Sequence, residues 1–161
     1  MKGRGLPVPV LVGGGAVELY SGSAMMTGDF DVVTPWQEEF EEELRREGFT
    51  KPIGPGHTAL GWVHPDLALG FEVVSRTLLD GMADRNRIVF IGLSTDGEAA
   101  IISLEDMIAD RMGQYASGAA LEMLEQARRL FALHPDADLD YMERRIRHES
   151  AGAYGIANLQ D

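Results

Sequence analysis

Cysteine is absent from the chain, which excludes a disulfide framework, a thiolate nucleophile and any cysteine-ligated zinc or iron–sulfur centre. That absence suits a reducing compartment, and a cytoplasmic location is the expectation. Positive charge is scarce as well: 14 Lys and Arg stand against 26 Asp and Glu, for a formal net charge of −12. That balance argues against a broad footprint on DNA or RNA, because neutralising phosphates takes clustered cations. A local grip by Lys51, Arg76, Arg85, Arg87 and Arg111 stays open. Long apolar runs are lacking, so no membrane span is expected. Pro7 and Pro9 interrupt MKGRGLPVPV and no small-residue cleavage site follows, so the N-terminus is not read as a signal peptide. The histidines, His57, His64, His134 and His148, lack metal-ligand spacing.

What is present is an ordinary globular composition, 45% hydrophobic and 25% charged over 161 residues, enough for one core with a small helical appendage. Val8 to Val12 predicts a strand running into Gly13-Gly14-Gly15, and Ala16, Val17, Leu19 and Tyr20 a short helix. Asp29 to Val33 reads as the next strand, stopped by Pro35. Behind it Trp36, Phe40 and Leu44 recur at helical spacing, while Glu38, Glu39, Glu41, Glu42 and Glu43 fill a solvated face that Gly48 ends. Leu60 to His64 and Leu67 to Val74 predict an antiparallel hairpin turned at Pro65-Asp66, and Arg87 to Leu93 and Ala99 to Ile102 two more strands. Ser103 to Asp106 has the spacing of a helix cap, so Asp106 is read as the capping partner of Ser103. Leu104 to Tyr115, Ala120 to Phe131 and a shorter stretch through Leu139, Met142 and Ile146 carry apolar helical stripes. The Gly/Ala-rich tail from Ala151 is expected to be loosely held.

The sharpest feature is Asp29-Phe30-Asp31. In a strand, residues i and i+2 share a face, so two carboxylates stand together, and like charges that close are costly unless a cation lies between them. Glu72 is a third acid inside an apolar strand, Phe71-Glu72-Val73-Val74. Were the two strands neighbours, three carboxylates could hold two magnesium or manganese ions about 3.5–4 Å apart, the separation used in phosphoryl transfer. The glycine turn offers backbone amides to phosphate at a helix N-terminus. It is neither a Walker loop nor a dinucleotide fingerprint. Blander readings stand beside these: Asp29 caps a turn and Asp31 is an exposed strand residue, Glu72 pairs with Arg76 or faces solvent, and the glycines form only a tight turn.

A glycine turn after a first strand, a short helix, and then Thr27-Gly28-Asp29-Phe30-Asp31 within about fifteen residues resembles the polymerase-beta-like nucleotidyltransferase superfamily. Leu11 to Val33 is most similar to its AbiEii-like, abortive-infection toxin-type branch, and Leu67 to Val74 with Ser103 to Ile108 extends the resemblance over most of the chain. It implies an α+β nucleotidyltransferase fold: a mixed sheet core over 1–102, a C-terminal helical segment over 103–150 packed on it, and the loose tail at 151–161. It also implies Asp29, Asp31 and Glu72 as catalytic metal ligands for Mg2+ or Mn2+, and Gly13, Gly14, Gly15, Thr27 and Arg111 as nucleotide-binding residues.

The expected function is transfer of a nucleoside monophosphate from a nucleoside triphosphate to a hydroxyl of RNA such as tRNA, a protein or a small molecule. Met25 or Met26 stands where many members of the superfamily carry arginine. That motivates the alternative, a catalytically weak or inactive nucleotide-binding module of a toxin–antitoxin type system, with a cognate antitoxin or toxin protein as partner. Oligomerisation through the acidic helices is a third possibility.

Overall fold

Residues 1–25, 29–52, 61–93, 97–118 and 120–160 are described in the computed structural model; Met26, Thr27, His57 and Leu60 fall outside them. The chain divides into two units, Met1–Ala16 with Met26–Ile102, and Val17–Met25 with Ser103–Asp161. The division falls after Ile102, where the helical segment was expected to begin, and gives residues 17–25 to the helical unit.

In the first unit Val10–Val12 forms β1, leaving outside the ladder Pro7 and Pro9, which have no N–H to donate. Gly13–Tyr20 (α1) follows without a loop: the glycines expected to form a turn before the helix are its own first residues. Asp29–Val33 (β2) is the expected strand. Gln37–Arg46 (α2) carries Glu38 and Glu39 in its first turn and Arg45 and Arg46 in its last, complementing the helix dipole. Its Leu44 is buried with Phe49 and Trp62, and Phe40, Leu69 and Phe71 pack against that cluster.

Trp62–His64 (β3) and Leu69–Ser75 (β4) pair antiparallel. The turn between them runs longer than Pro65-Asp66, because Ala68 adopts a positive φ of 51°. His64 Nδ1 accepts the N–H groups of Asp66 (3.2 Å) and Leu67 (3.3 Å), so its ring proton sits on Nε2. Val89–Gly92 (β5) and Glu98–Ile101 (β6) form a second antiparallel pair. The six strands lie in the order β3-β4-β2-β1-β6-β5, with β1 antiparallel to β2 and parallel to β6, and β2 parallel to β4. The chain is therefore α+β with a mixed sheet, the expected class.

In the second unit Leu104–Ala116 (α3), Met123–Leu133 (α4) and Leu139–Glu149 (α5) bury Met107, Ile108, Met112, Leu130, Met142 and Ile146. Gly113 lets α3 and α5 approach closely: a Cβ there would lie 3.0 Å from Glu149 Cβ and 3.1 Å from its carbonyl oxygen. Backbone cannot yield as a side-chain tip can. Gly113→Val is accordingly expected to cost about 1–3 kcal/mol, measured by urea unfolding; an unchanged midpoint would show that the helices can separate freely.

The tail is not loose. Ile156–Leu159 forms a 3-10 turn, Leu159 is buried, and Arg128 Nε donates to the Asn158 carbonyl at 3.1 Å. The Ile156 N–H donates to Glu143 Oε2 at 2.7 Å and Arg147 Nε to Glu143 Oε1 at 2.6 Å. Gly/Ala composition signals freedom, but one carboxylate and one buried leucine suffice to withdraw it. The Ile156 bond is the largest influence on Glu143, and with Arg147 it outweighs partial burial to hold the carboxyl below its ordinary value of 4.5. A depressed folded-state value means that the stabilisation is complete above the ordinary glutamate range and is lost as pH falls through the folded value. Acidification below about pH 4 is expected to release Ile156–Leu159 before the helices melt, read as a shift of the Ile156 amide resonance. An amide that does not respond before global unfolding would contradict this latch.

Candidate carboxylate site

Alternation builds two unlike faces on β2 and β4. Phe30 and Phe71 stack at 5.3 Å between ring centroids, with Phe40 and Phe49 edge-on to Phe71. Asp29 and Asp31 occupy the opposite face, because side chains alternate along a strand.

The register then decides where Glu72 goes. Asp31 lies directly beside Glu72 across the parallel pairing, and Asp29 beside Gly70. In-register neighbours point the same way, so all three acids share one face. Strand geometry spaces the Asp31 and Glu72 backbones about 4.8 Å apart and the two aspartates about 6.6 Å apart. Asp29 is exposed, whereas Asp31 and Glu72 are half-buried. Arg76, the alternative partner for Glu72, instead approaches the Pro35 carbonyl at 3.5 Å.

The acids line a cleft of about 390 Å³ together with Gly61, Trp62, Val63, Gly70 and Phe71. Gly61 and Gly70 went unnoticed in the sequence, although glycine inside strand-like segments signals close approach. A Cβ at Gly61 would lie 2.9 Å from the Phe71 carbonyl oxygen and 3.5 Å from Glu72 Cβ. Gly70 adds no side chain beside Asp29. Together they keep the acid face open.

The three glycines of α1 divide their roles. Gly13 has φ +59°, and a Cβ there would collide with the Asp31 carboxylate, whose Cγ lies at 3.0 Å. Asp31 thus sits against the first turn of α1, where the helix dipole favours negative charge. At Gly15 packing alone already requires glycine: a Cβ would lie 2.7 Å from Phe30 Cδ1 and 3.0 Å from Leu11 Cδ1. Gly14 is the second residue of the helix. Gly13→Ala combines a left-handed backbone with displacement of Asp31. It is expected to cost about 1–2 kcal/mol from backbone conformation alone, and thermal denaturation checks this against Gly22→Ala, where φ is +60° and the space is open. Equal losses would show that Asp31 yields without cost.

Thr27 lies outside the described residues. Arg111 belongs to the helical unit, buried at 5% exposure with Nη1 3.5 Å from Asp110 Oδ2. Burial pushes the Asp110 carboxyl above its ordinary value, against the opposing effects of Arg111 and Gln114. The donor set in the cleft is entirely carboxylate oxygen, which suits a hard divalent cation. As the side chains stand, no three Asp, Glu or His groups among the described residues gather closely enough to hold a metal ion.

Among the described residues no helix is long and apolar enough to cross a membrane. No family model matches the chain, and no curated protein matches its sequence.

Proposed function

We propose that the cleft binds a nucleoside triphosphate together with Mg2+ or Mn2+ and transfers the nucleoside monophosphate to a hydroxyl. The observation that carries this reading is the register that sets Asp31 beside Glu72, with Asp29 on the same face. Asp31 and Glu72, joined by Asp29, would hold the ion, which when bound neutralises the carboxylates and draws charge from the phosphoryl oxygens. Glu72 would either hold the ion in this way or accept the proton of the attacking hydroxyl. The hydroxyl oxygen bonds to the α-phosphorus as the bond to the bridging oxygen breaks, and pyrophosphate leaves. Gly61 and Gly70 leave room for the substrate beside the acids.

A triphosphate brought to three carboxylates meets like charge, so binding should depend on the cation. Titration calorimetry with Mn2+ is expected to show triphosphate binding that weakens at least about tenfold in chelator, since a difference of 1.4 kcal/mol already gives that factor. A labelled α-phosphate should pass to an acceptor, with tRNA, protein and small alcohols as candidates. Absence of triphosphate binding with Mn2+ would defeat the proposal.

The side chains as they stand, with no three acids gathered on one point among the described residues, favour a second reading. In it the cleft binds nucleotide without turnover, as a regulatory module with a toxin or antitoxin partner. Cation-dependent binding without transfer to any acceptor, together with stable co-purification of a second protein, would select it.

A further inference from the structure

The turn between β3 and β4 is closed by an unusual residue for the task. His64 ends β3 and is paired in register with Leu69 at the start of β4. Between them the Ala68 N–H donates to the His64 carbonyl at 3.1 Å, and the N–H groups of Asp66 and Leu67 converge on His64 Nδ1. Holding the N–H two residues on with a side-chain acceptor is ordinarily the work of asparagine or aspartate. Either would hold this turn throughout the neutral range. An imidazole nitrogen holds it only while it keeps its lone pair, since both ring nitrogens are donors once the second proton is on.

The turn is built to open when that lone pair goes. Ala68 lies in the left-handed region with φ 51°, which an L side chain disfavours. Residues 65–68 are exposed, so N–H groups released there find water and are not left buried without a partner. On the inner side of the ring, Phe49 stands edge-on at 5.1 Å, and Nε2 lies 3.2 Å from where a Cβ on Gly48 would be. Trp62, two residues earlier on the same face, carries Arg45 and Lys51 over its ring at 5.1 and 5.2 Å, with Lys51 held by Glu41. Among the described residues, neither Asp66 of the turn nor Glu47 at the end of α2 forms an ion pair with His64. Glu72 of β4 lies on the opposite face, because His64 is in register with Leu69.

We propose that His64 is a proton-operated clasp on the β3–β4 turn: a proton on Nδ1 expels the Asp66 and Leu67 N–H groups and lets the turn open. The register carries the effect to the carboxylate cleft. Val63 lies opposite Gly70, and Gly70 beside Asp29, so the clasp closes the hairpin one residue beyond two residues of the cleft wall. Opening it loosens that wall, and acid thereby weakens the hold of the cleft on its ligand. This second step rests on the nucleotide-binding reading of the cleft, whereas the clasp itself does not.

The test is an NMR titration of the full chain from about pH 8 to about pH 5, which brackets the ordinary imidazole value of about 6.5. The Asp66 and Leu67 amide resonances are expected to move on the same curve as the His64 ring, with Gly70 following. Their protection from exchange, relative to an open chain at each pH, should fall at least about tenfold, as the loss of two hydrogen bonds allows. His64→Asn offers an oxygen to the same N–H groups and does not titrate, so it should keep both resonances level over the whole range. His64→Ala should leave the turn open at either limit. Should a variant fail to fold, the titration of the unaltered chain decides. A His64 ring that titrates without moving Asp66 and Leu67, or that takes no proton above about pH 5, overturns the clasp. So does a response that persists undiminished in His64→Asn. Calorimetry with Mn2+ and triphosphate is expected to show binding that weakens more between about pH 7.5 and about pH 5.5 in the unaltered chain than in His64→Asn. Equal weakening in the two would overturn the link to the cleft. No binding at any pH would defeat the nucleotide reading and leave the clasp to be judged by the amides.

Discussion

If the cleft transfers nucleotides as proposed, Asp31→Ala is expected to lower that transfer about a thousandfold or more, the scale on which a group positioned at the reacting atoms acts, while leaving the melting temperature within a few degrees. Asp31 is the central acid: Glu72 flanks it across the strands, and Gly13 of α1 lies against its carboxylate. On the proposed reading, removing it would withdraw a cation ligand beside Glu72. Two opposing effects keep stability nearly level, since loss of negative charge at the helix N-terminus costs about 0.3–1 kcal/mol and relief of repulsion between Asp31 and Glu72 offsets part of that. Asp29→Ala, at the exposed end of the row, should weaken triphosphate binding more than the chemical step. Glu72→Gln keeps size and hydrogen-bonding capacity but removes the negative charge, so its loss should appear in the rate and in the dependence on the cation. Transfer assays beside circular dichroism melts separate these outcomes. Asp31→Ala that retains transfer, or loses it only by unfolding, would remove Asp31 from the chemistry.

Much of this site was legible in local pattern. Asp29-Phe30-Asp31 and Phe71-Glu72-Val73 alternate as half-buried strands do, and Pro35 and Gly48 frame α2 as their backbone restrictions require. The meeting of Glu72 with Asp31 was not legible, because it depends on a parallel pairing between strands separated by α2 and β3, and no local signal sets that register. Nor could the glycines announce their division of labour. Gly13 makes way for a carboxylate and Gly15 for a phenyl ring, and either task looks like a tight turn until β2 is in place. The tail misled for a related reason: the carboxylate that ties Ile156 lies 13 residues earlier, on α5.

Asp106 shows how far a local reading can be right and still incomplete. Ser103 Oγ accepts the Asp106 N–H at 3.1 Å, as a cap should, but also donates to Asp106 Oδ2 at 2.8 Å. The carboxylate, 1% exposed, further accepts Tyr141 Oη at 2.9 Å and Arg145 Nε at 2.7 Å, and Arg145 continues to Glu149. Asp106→Ala would take from Arg145, a residue 5% exposed, the carboxylate its Nε donates to, leaving it Glu149, and would remove an acceptor from the Tyr141 hydroxyl. Breaking one side of a buried pair in this way costs about 3–5 kcal/mol, a large share of the roughly 5–15 kcal/mol that holds a domain together. Asp106→Asn keeps an oxygen toward Tyr141 and Arg145 and should lose less. The double variant Asp106→Leu with Arg145→Met removes both charges together, and apolar replacements of buried pairs are often neutral or stabilising. It should therefore recover most of the loss that Asp106→Ala causes. Urea unfolding of the three variants distinguishes a satisfied buried pair from a dispensable one. A loss under about 1 kcal/mol in Asp106→Ala, within the range of an ordinary cap, would mean that Arg145 finds equivalent support elsewhere and that the carboxylate does no more than begin the helix.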